Sequence, residues 1–167
     1  MTEVILNKDK AHYVVVTGII LKDKKYLITK RADWETAFPS KWTVPGGKLQ
    51  ASDYKSSPQD TKSGQWYNIC ENLLRREVME ETVLEIKNLK YVASLVFVRP
   101  DGIPVLVISM SADYAAGEVK LCDDLTEYAW VSLTEAKNYD LIDGIYEEIE
   151  MVESISNGKE IGEWVKK

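Results

Sequence analysis

Seven consecutive residues, Arg75-Arg76-Glu77-Val78-Met79-Glu80-Glu81, hold the densest chemistry in the chain. At about 100° per residue on a helix, Glu77, Glu80 and Glu81 fall within an arc of roughly 100° and share a face. Leu73, Leu74, Val78 and Leu84 lie between or beside them on that wheel, while Asn72, Arg75 and Met79 lie opposite. The acids therefore interrupt the side that a globular domain would bury. A solvated surface face is the plain alternative. Carboxylates at the border of a core stripe, however, repel one another and lose hydration, which is costly without a compensating cation. A hard divalent ion with oxygen ligands is the natural compensator, and Mg²⁺ favours a few carboxylates together with substrate phosphates. Arg76 precedes Glu80 by four residues and is placed to hold a carboxylate through a bidentate bond.

Upstream, Trp42-Thr43-Val44-Pro45-Gly46-Gly47-Lys48-Leu49 sets a rigid Pro and two Gly after a short strand. A turn is the simplest reading. The functional one is that Gly lets backbone carbonyls or N–H groups come close to a phosphate carried by a metal ion. It is not a Walker loop, because the chain contains no GxxxxGK[ST].

Composition narrows the classes. The 167 residues are 45% apolar and 29% charged, which suits one domain of ordinary size and excludes collagen, coiled coil and disordered tail. A formal net charge of -6 argues against broad nucleic-acid binding. An anionic ligand would then need a local cation. One His and two Cys cannot build a zinc cluster of His and Cys ligands within the chain, nor a disulfide framework. Met1 to Lys8 lacks the pattern of a signal peptide, and no stretch approaches eighteen uninterrupted apolar residues. A soluble, cytoplasmic protein without membrane attachment is expected.

The positioning elements follow from periodicity. Tyr13 to Leu21 and Tyr26 to Thr29, separated by Asp23-Lys24-Lys25, predict a hairpin. Tyr91 to Val98 and Pro104 to Met110 predict a second, closed by Arg99-Pro100-Asp101-Gly102. Glu127 to Ser132 reads as a further short strand. The acid-bearing helix is expected from about Asn68, in capping-box relation to Glu71, to about Thr82. A last helix carries Ile142, Ile145, Tyr146, Ile149 and Val152, with Asn157-Gly158 as its stop. Gln50 to Gln65 is polar and reads as a loop or irregular excursion. Strands before and after a helix, then a final helix, predict an α/β architecture with a mixed sheet flanked by helices.

These residues resemble the Nudix hydrolases, whose signature GX5EX7REUXEEXGU, with U aliphatic, is usually preceded by Trp-x-x-Pro-Gly-Gly. Gly47 matches the opening Gly, Arg76-Glu77-Val78-Met79-Glu80-Glu81 matches REUXEE without a gap, and Leu84 matches the final aliphatic. The resemblance extends from the first hairpin, ending in Lys30-Arg31, to the last helix, covering roughly residues 12 to 155. It implies a single Nudix domain over 1–167, of α+β type and built as an α/β/α sandwich. Three departures stand out. The Arg lies fifteen residues further from Gly47 than the signature places it, an insertion at about 50–66. Asn68 stands where the first signature Glu belongs, so an outer carboxylate is missing unless Asp53, Asp60 or Glu71 replaces it. Val83 stands where the family has Gly.

The resemblance implies hydrolysis of a nucleoside diphosphate linked to another group, with Mg²⁺ or Mn²⁺. Glu80, Glu81 and the Gly46 carbonyl would hold metal, Glu77 would bind metal or act as general base, and Arg76 would belong to the catalytic set. Arg31, with Lys30, and Lys48 are candidates for substrate phosphate. Trp34 and Phe38, in the loop after Arg31, suit either base stacking or loop packing, and Glu127 is a candidate additional acid. The expected substrate is a small nucleotide such as a nucleoside triphosphate, a nucleotide sugar or ADP-ribose, with a homodimer left open. A nucleotide-sensing module without turnover is the alternative, and an isomerase of the same fold is a weaker third.

Overall fold

A computed structural model describes Asn7 and residues 9–166, so the segment read for a leader lies almost wholly outside the described residues. In chain order the elements are β1 (Tyr13–Lys22), β2 (Lys25–Arg31), β3 (Trp42–Thr43), β4 (Gly46–Lys48), α1 (Ser52–Lys55) and α2 (Ile69–Thr82). They continue with β5 (Glu85–Val98), β6 (Pro104–Ala116), β7 (Leu125–Val131), α3 (Leu133–Ala136) and α4 (Ile145–Ser156). Both expected hairpins form. Their arms outrun the apolar runs that announced them, because β5 and β6 continue as a bulged ladder down to Glu85 opposite Ala116.

The strands make one mixed sheet in the order β3-β2-β1-β6-β5, with β4 on β1 and β7 on β2. The parallel pair is β1 with β6; the other named pairs are antiparallel. β1 and β2 pair only beside their turn, at Leu21 with Tyr26 and Lys22 with Lys25. Beyond that point β4 takes over the edge of β1, Thr17 facing Gly46 and Val16 facing Gly47. The Pro-Gly-Gly segment is thus the entry to a strand as well as a turn, and Pro45 offers its carbonyl to the Gly18 N–H at 2.8 Å.

Alternation along β1 and β2 sends neighbours to opposite faces. Val16, Ile20 and Leu27 pack with Leu73, Leu74 and Val78 of α2. Ile19, Tyr26 and Ile28 pack with Ile145, Ile149 and Val152 of α4. The sheet is therefore sandwiched between the two helices, as the α/β/α reading requires. Leu73, Leu74 and Val78 are at most 1% exposed, and truncating such a leucine costs about 2–5 kcal/mol. That packing sets the axial rotation of α2 and with it the direction of its acids.

Two helix ends differ from expectation. Asn68 makes no side-chain cap: it sits in the left-handed region at φ 55°, offering only its carbonyl to the Asn72 N–H. That conformation turns the incoming chain sharply and carries the amide away from the free N–H groups of the first turn. α4 begins at Ile145 rather than at Ile142, because residues 140–142 are held along β3: Trp42 N–H donates to the Asp140 carbonyl, and Ile142 N–H to that of Trp42, both at 2.9 Å. A reciprocal capping box does exist at α3, between Ser132 and Glu135. Within the polar excursion, α1 is a single short turn with no buried residue.

Candidate active site

Backbone and helix meet where β4 passes α2. The Gly46 N–H donates to Glu81 Oε2 at 3.0 Å. Gly47 lies so close to Glu77 that a Cβ on it would stand 2.0 Å from the carboxylate carbon, so no other residue fits without displacing that acid. The two glycines thus serve different acids, one by donating a hydrogen bond and the other by leaving room.

Arg76 organises the rest. Its Nε donates to Asp53 Oδ1 at 2.7 Å and its Nη1 to Glu80 Oε2 at 2.8 Å. Nη2 lies 2.9 Å from Glu77 Oε1, at an angle that makes an ion pair rather than a hydrogen bond. Among the three acids considered as replacements for the signature carboxylate, it is Asp53 that reaches Arg76. Asp60 instead accepts from the Tyr67 N–H within the excursion. Arg76 holds Glu80 through one nitrogen, not through the bidentate pair that the spacing suggested.

Burial dominates the electrostatics. It pushes the Glu81 carboxyl up to about 8, against the Gly46 N–H and with help from repulsion by Glu77. It raises Glu77 too, against the charge of Arg76 and with the repulsion of Glu80. Burial works against the Arg76 charge, but its bond to Asp53 and the charges of Glu77, Asp53 and Glu80 more than offset this and hold it protonated. Arg31 and Asp124 also act on Glu81 by charge.

The remaining candidates divide. Arg31 is near Glu81, yet its side chain is held by the Ala37 carbonyl and by Glu35, each at 2.7 Å. Lys30 and Glu127 face each other across the β2–β7 ladder and pair at 2.7 Å. Trp34 is 66% exposed, and Lys48 is exposed at the end of β4. Phe38 packs edge-on against Phe97, ring centres 5.8 Å apart, so it bridges its loop to the end of β5. Asp124 was not singled out in the sequence. Its carbonyl accepts from the Ala32 N–H, and the Cys122 N–H donates to the Glu81 carbonyl, so the approach to β7 is folded over the end of α2. No local motif marks Asp124; its proximity to Glu81 arises only from this long-range pairing.

The donor chemistry suits a hard divalent cation: three carboxylates on one side of a helix, two of them desolvated, beside a glycine backbone. In the described rotamers they rest on Arg76 and Gly46. Among the described residues no three Asp, Glu, His or Cys side chains converge as they would around an ion. A bound ion would draw Glu77 and Glu80 off Arg76.

Comparison with known proteins identifies the domain. The sequence profile of the NUDIX domain matches residues 12–151. The chain is 26% identical, over 76% of its length and 86% of the relative's, to nucleoside triphosphatase NudI of Escherichia coli O17:K52:H18. Its fold is similar to that of a MutT NUDIX hydrolase from Burkholderia pseudomallei, with a TM-score of 0.67 and 18% identity over 86% of this chain and 99% of the other. It is also similar to a MutT protein from Methanosarcina mazei Go1, with a TM-score of 0.65 and 23% identity over 90% and 99%.

Proposed function

Because the chain belongs to the Nudix hydrolase family, we propose that it hydrolyses a pyrophosphate bond in a small nucleoside diphosphate-linked substrate, with Mg²⁺ or Mn²⁺ held by Glu80, Glu81 and the Gly46 carbonyl, and with Glu77 as a further ligand or as the general base. The observation that carries this is the row of α2 carboxylates set against Gly46 and Gly47, with two of the acids partly desolvated. Similarity to NudI favours a nucleoside triphosphate over the other members of the class. A divalent ion there supplies charge neutralisation for the phosphates and makes water more acidic.

The chain's own residues do the remainder. Glu77 is the preferred general base. It is buried enough for protonation to be easier than in water, and it adjoins the acids that would carry the ion. Gly46 orients Glu81, and Arg76 restrains Glu80 and Glu77. Arg31, fixed by Glu35, presents positive charge on the Glu81 side and is placed to meet a phosphate. No helix among the described residues is long and apolar enough to cross a membrane.

The test is a screen of nucleoside triphosphates, ADP-ribose, dinucleoside polyphosphates and nucleotide sugars with Mg²⁺ or Mn²⁺, scored by release of phosphate, pyrophosphate or nucleoside monophosphate. Turnover of one class is expected, faster at alkaline pH. The departures from the signature favour a second reading, a nucleotide-sensing module: Asn68 stands in place of a carboxylate, Val83 in place of a glycine, and the excursion is inserted between Gly47 and Arg76. Tight binding of a nucleotide with no turnover in the screen would establish that reading instead.

A further inference from the structure

The polar excursion between β4 and α2 is built mainly upon itself. Trp66 packs against Tyr54, ring centres 5.2 Å apart, and its indole N–H donates to the Ser57 carbonyl at 3.0 Å. α1 contributes no side chain to either apolar core, and a groove of about 500 Å³ beside it is bordered by Gln50, Ser52, Asn72 and Glu80. Across that groove runs one nearly buried ionic contact. The Asp53 side chain is 7% exposed and accepts from Arg76 Nε. Its other oxygen accepts from the Gln50 N–H at 2.7 Å, so the carboxylate is aimed by the turn that directly follows β4.

We propose that Asp53 is a positioning residue for the cation site: by holding Arg76 from the excursion side, it limits how strongly Arg76 binds Glu77 and Glu80 and keeps those acids available to a divalent ion. The inference rests on the hydrolase reading and deepens it, because it makes the excursion a working part of the site. A guanidinium has five N–H groups in one rigid plane. With Nε turned to Asp53, its plane is fixed, and Glu77 and Glu80 each receive one nitrogen. Without Asp53, the guanidinium is free to rotate onto the two α2 acids as a fork, and a cation must then displace a stronger competitor.

The experiment compares wild type, Asp53→Asn and Asp53→Glu by Mn²⁺ titration followed by electron paramagnetic resonance and by the ¹⁵N resonance of Arg76 Nε in metal-free protein. The expected result is Mn²⁺ binding weakened about 10-fold in Asp53→Asn, the usual size for loss of a group that orients metal ligands, with Asp53→Glu recovering most of it. The Arg76 Nε resonance should shift and broaden in Asp53→Asn, and kcat should fall more than KM rises. Unchanged Mn²⁺ affinity, or an unchanged Arg76 resonance in Asp53→Asn, overturns the proposal. Absence of Mn²⁺ binding in wild type would refute the hydrolase reading itself. In that case the metal-free Arg76 resonance still decides separately whether Asp53 holds the guanidinium.

Discussion

α2 and α4 cover opposite faces of one sheet with similar apolar stripes, and each carries a desolvated glutamate whose proton is held more tightly than in water: Glu81 and Glu148. Their surroundings differ. Glu148, 3% exposed, meets the neutral hydroxyl of Ser109, itself bonded at 3.1 Å to Thr17, with Glu147 the charge acting on it. Glu81 stands among Gly46, Glu77, Arg31 and Asp124. Burial of an acid alone therefore marks no site. What distinguishes α2 is that several charges of both signs, drawn from the excursion, β2, the helix and the approach to β7, gather at one helix end.

The contrast is most strongly tested by kinetics. Glu80→Gln should lower kcat at least about 100-fold, roughly 2.7 kcal/mol, with the fold intact by circular dichroism. Glu148→Gln should leave kcat within about 3-fold of wild type. Equal losses in the two variants would erase the distinction between the faces.

Next in size is the response to pH. The folded Glu81 carboxyl ionises at about 8 against an ordinary 4.5. Its contribution to stability is therefore complete below the unfolded value and lost as pH rises through about 8. Metal-free protein should lose on the order of a few kcal/mol between about pH 5 and pH 8.5, seen as a Tm lower by several degrees. Glu81→Gln should flatten much of that slope. Glu77 and Glu148, raised in the same direction, will leave a remainder of the same sign. A Tm that climbs with pH in wild type would contradict the burial of Glu81.

A smaller effect concerns the end of α2. Val83 caps the helix in the left-handed region at φ 60° and is 42% exposed. A β-branched residue pays about 1–2 kcal/mol there and glycine pays little. Val83→Gly should thus raise stability by about 1 kcal/mol in a denaturant titration, without altering kcat. The smallest change is expected at the exposed Lys30–Glu127 pair: Glu127→Gln should shift stability by less than about 0.5 kcal/mol and kcat by less than about 3-fold. A large kcat loss there would move an acid of β7 into the reacting set.

Much of this was legible because it is local. The face shared by Glu77, Glu80 and Glu81 follows from helical spacing, and burial of Leu73, Leu74 and Val78 confirms the wheel. The hairpins followed from β-branched runs and the turn at Gly102. What escaped depends on distant pairing. Spacing could name Asp53, Asp60 and Glu71 as substitutes for the missing carboxylate, but only the docking of the excursion selects Asp53. Asp124 reaches Glu81 because residues 117–125 return along the end of α2 through the Lys120 and Cys122 N–H groups. Asn68 looked like a cap because composition reports hydrogen-bonding capacity, whereas the left-handed backbone that redirects it is set by the chain's entry from the excursion.

The most direct test of the central claim is the steady-state release of phosphate, pyrophosphate or nucleoside monophosphate from nucleoside triphosphates, measured with Mg²⁺ and again after chelation. The account predicts release that requires the divalent ion and returns when it is restored. Release that persists undiminished in a chelator would contradict it, as would none from any substrate in the panel.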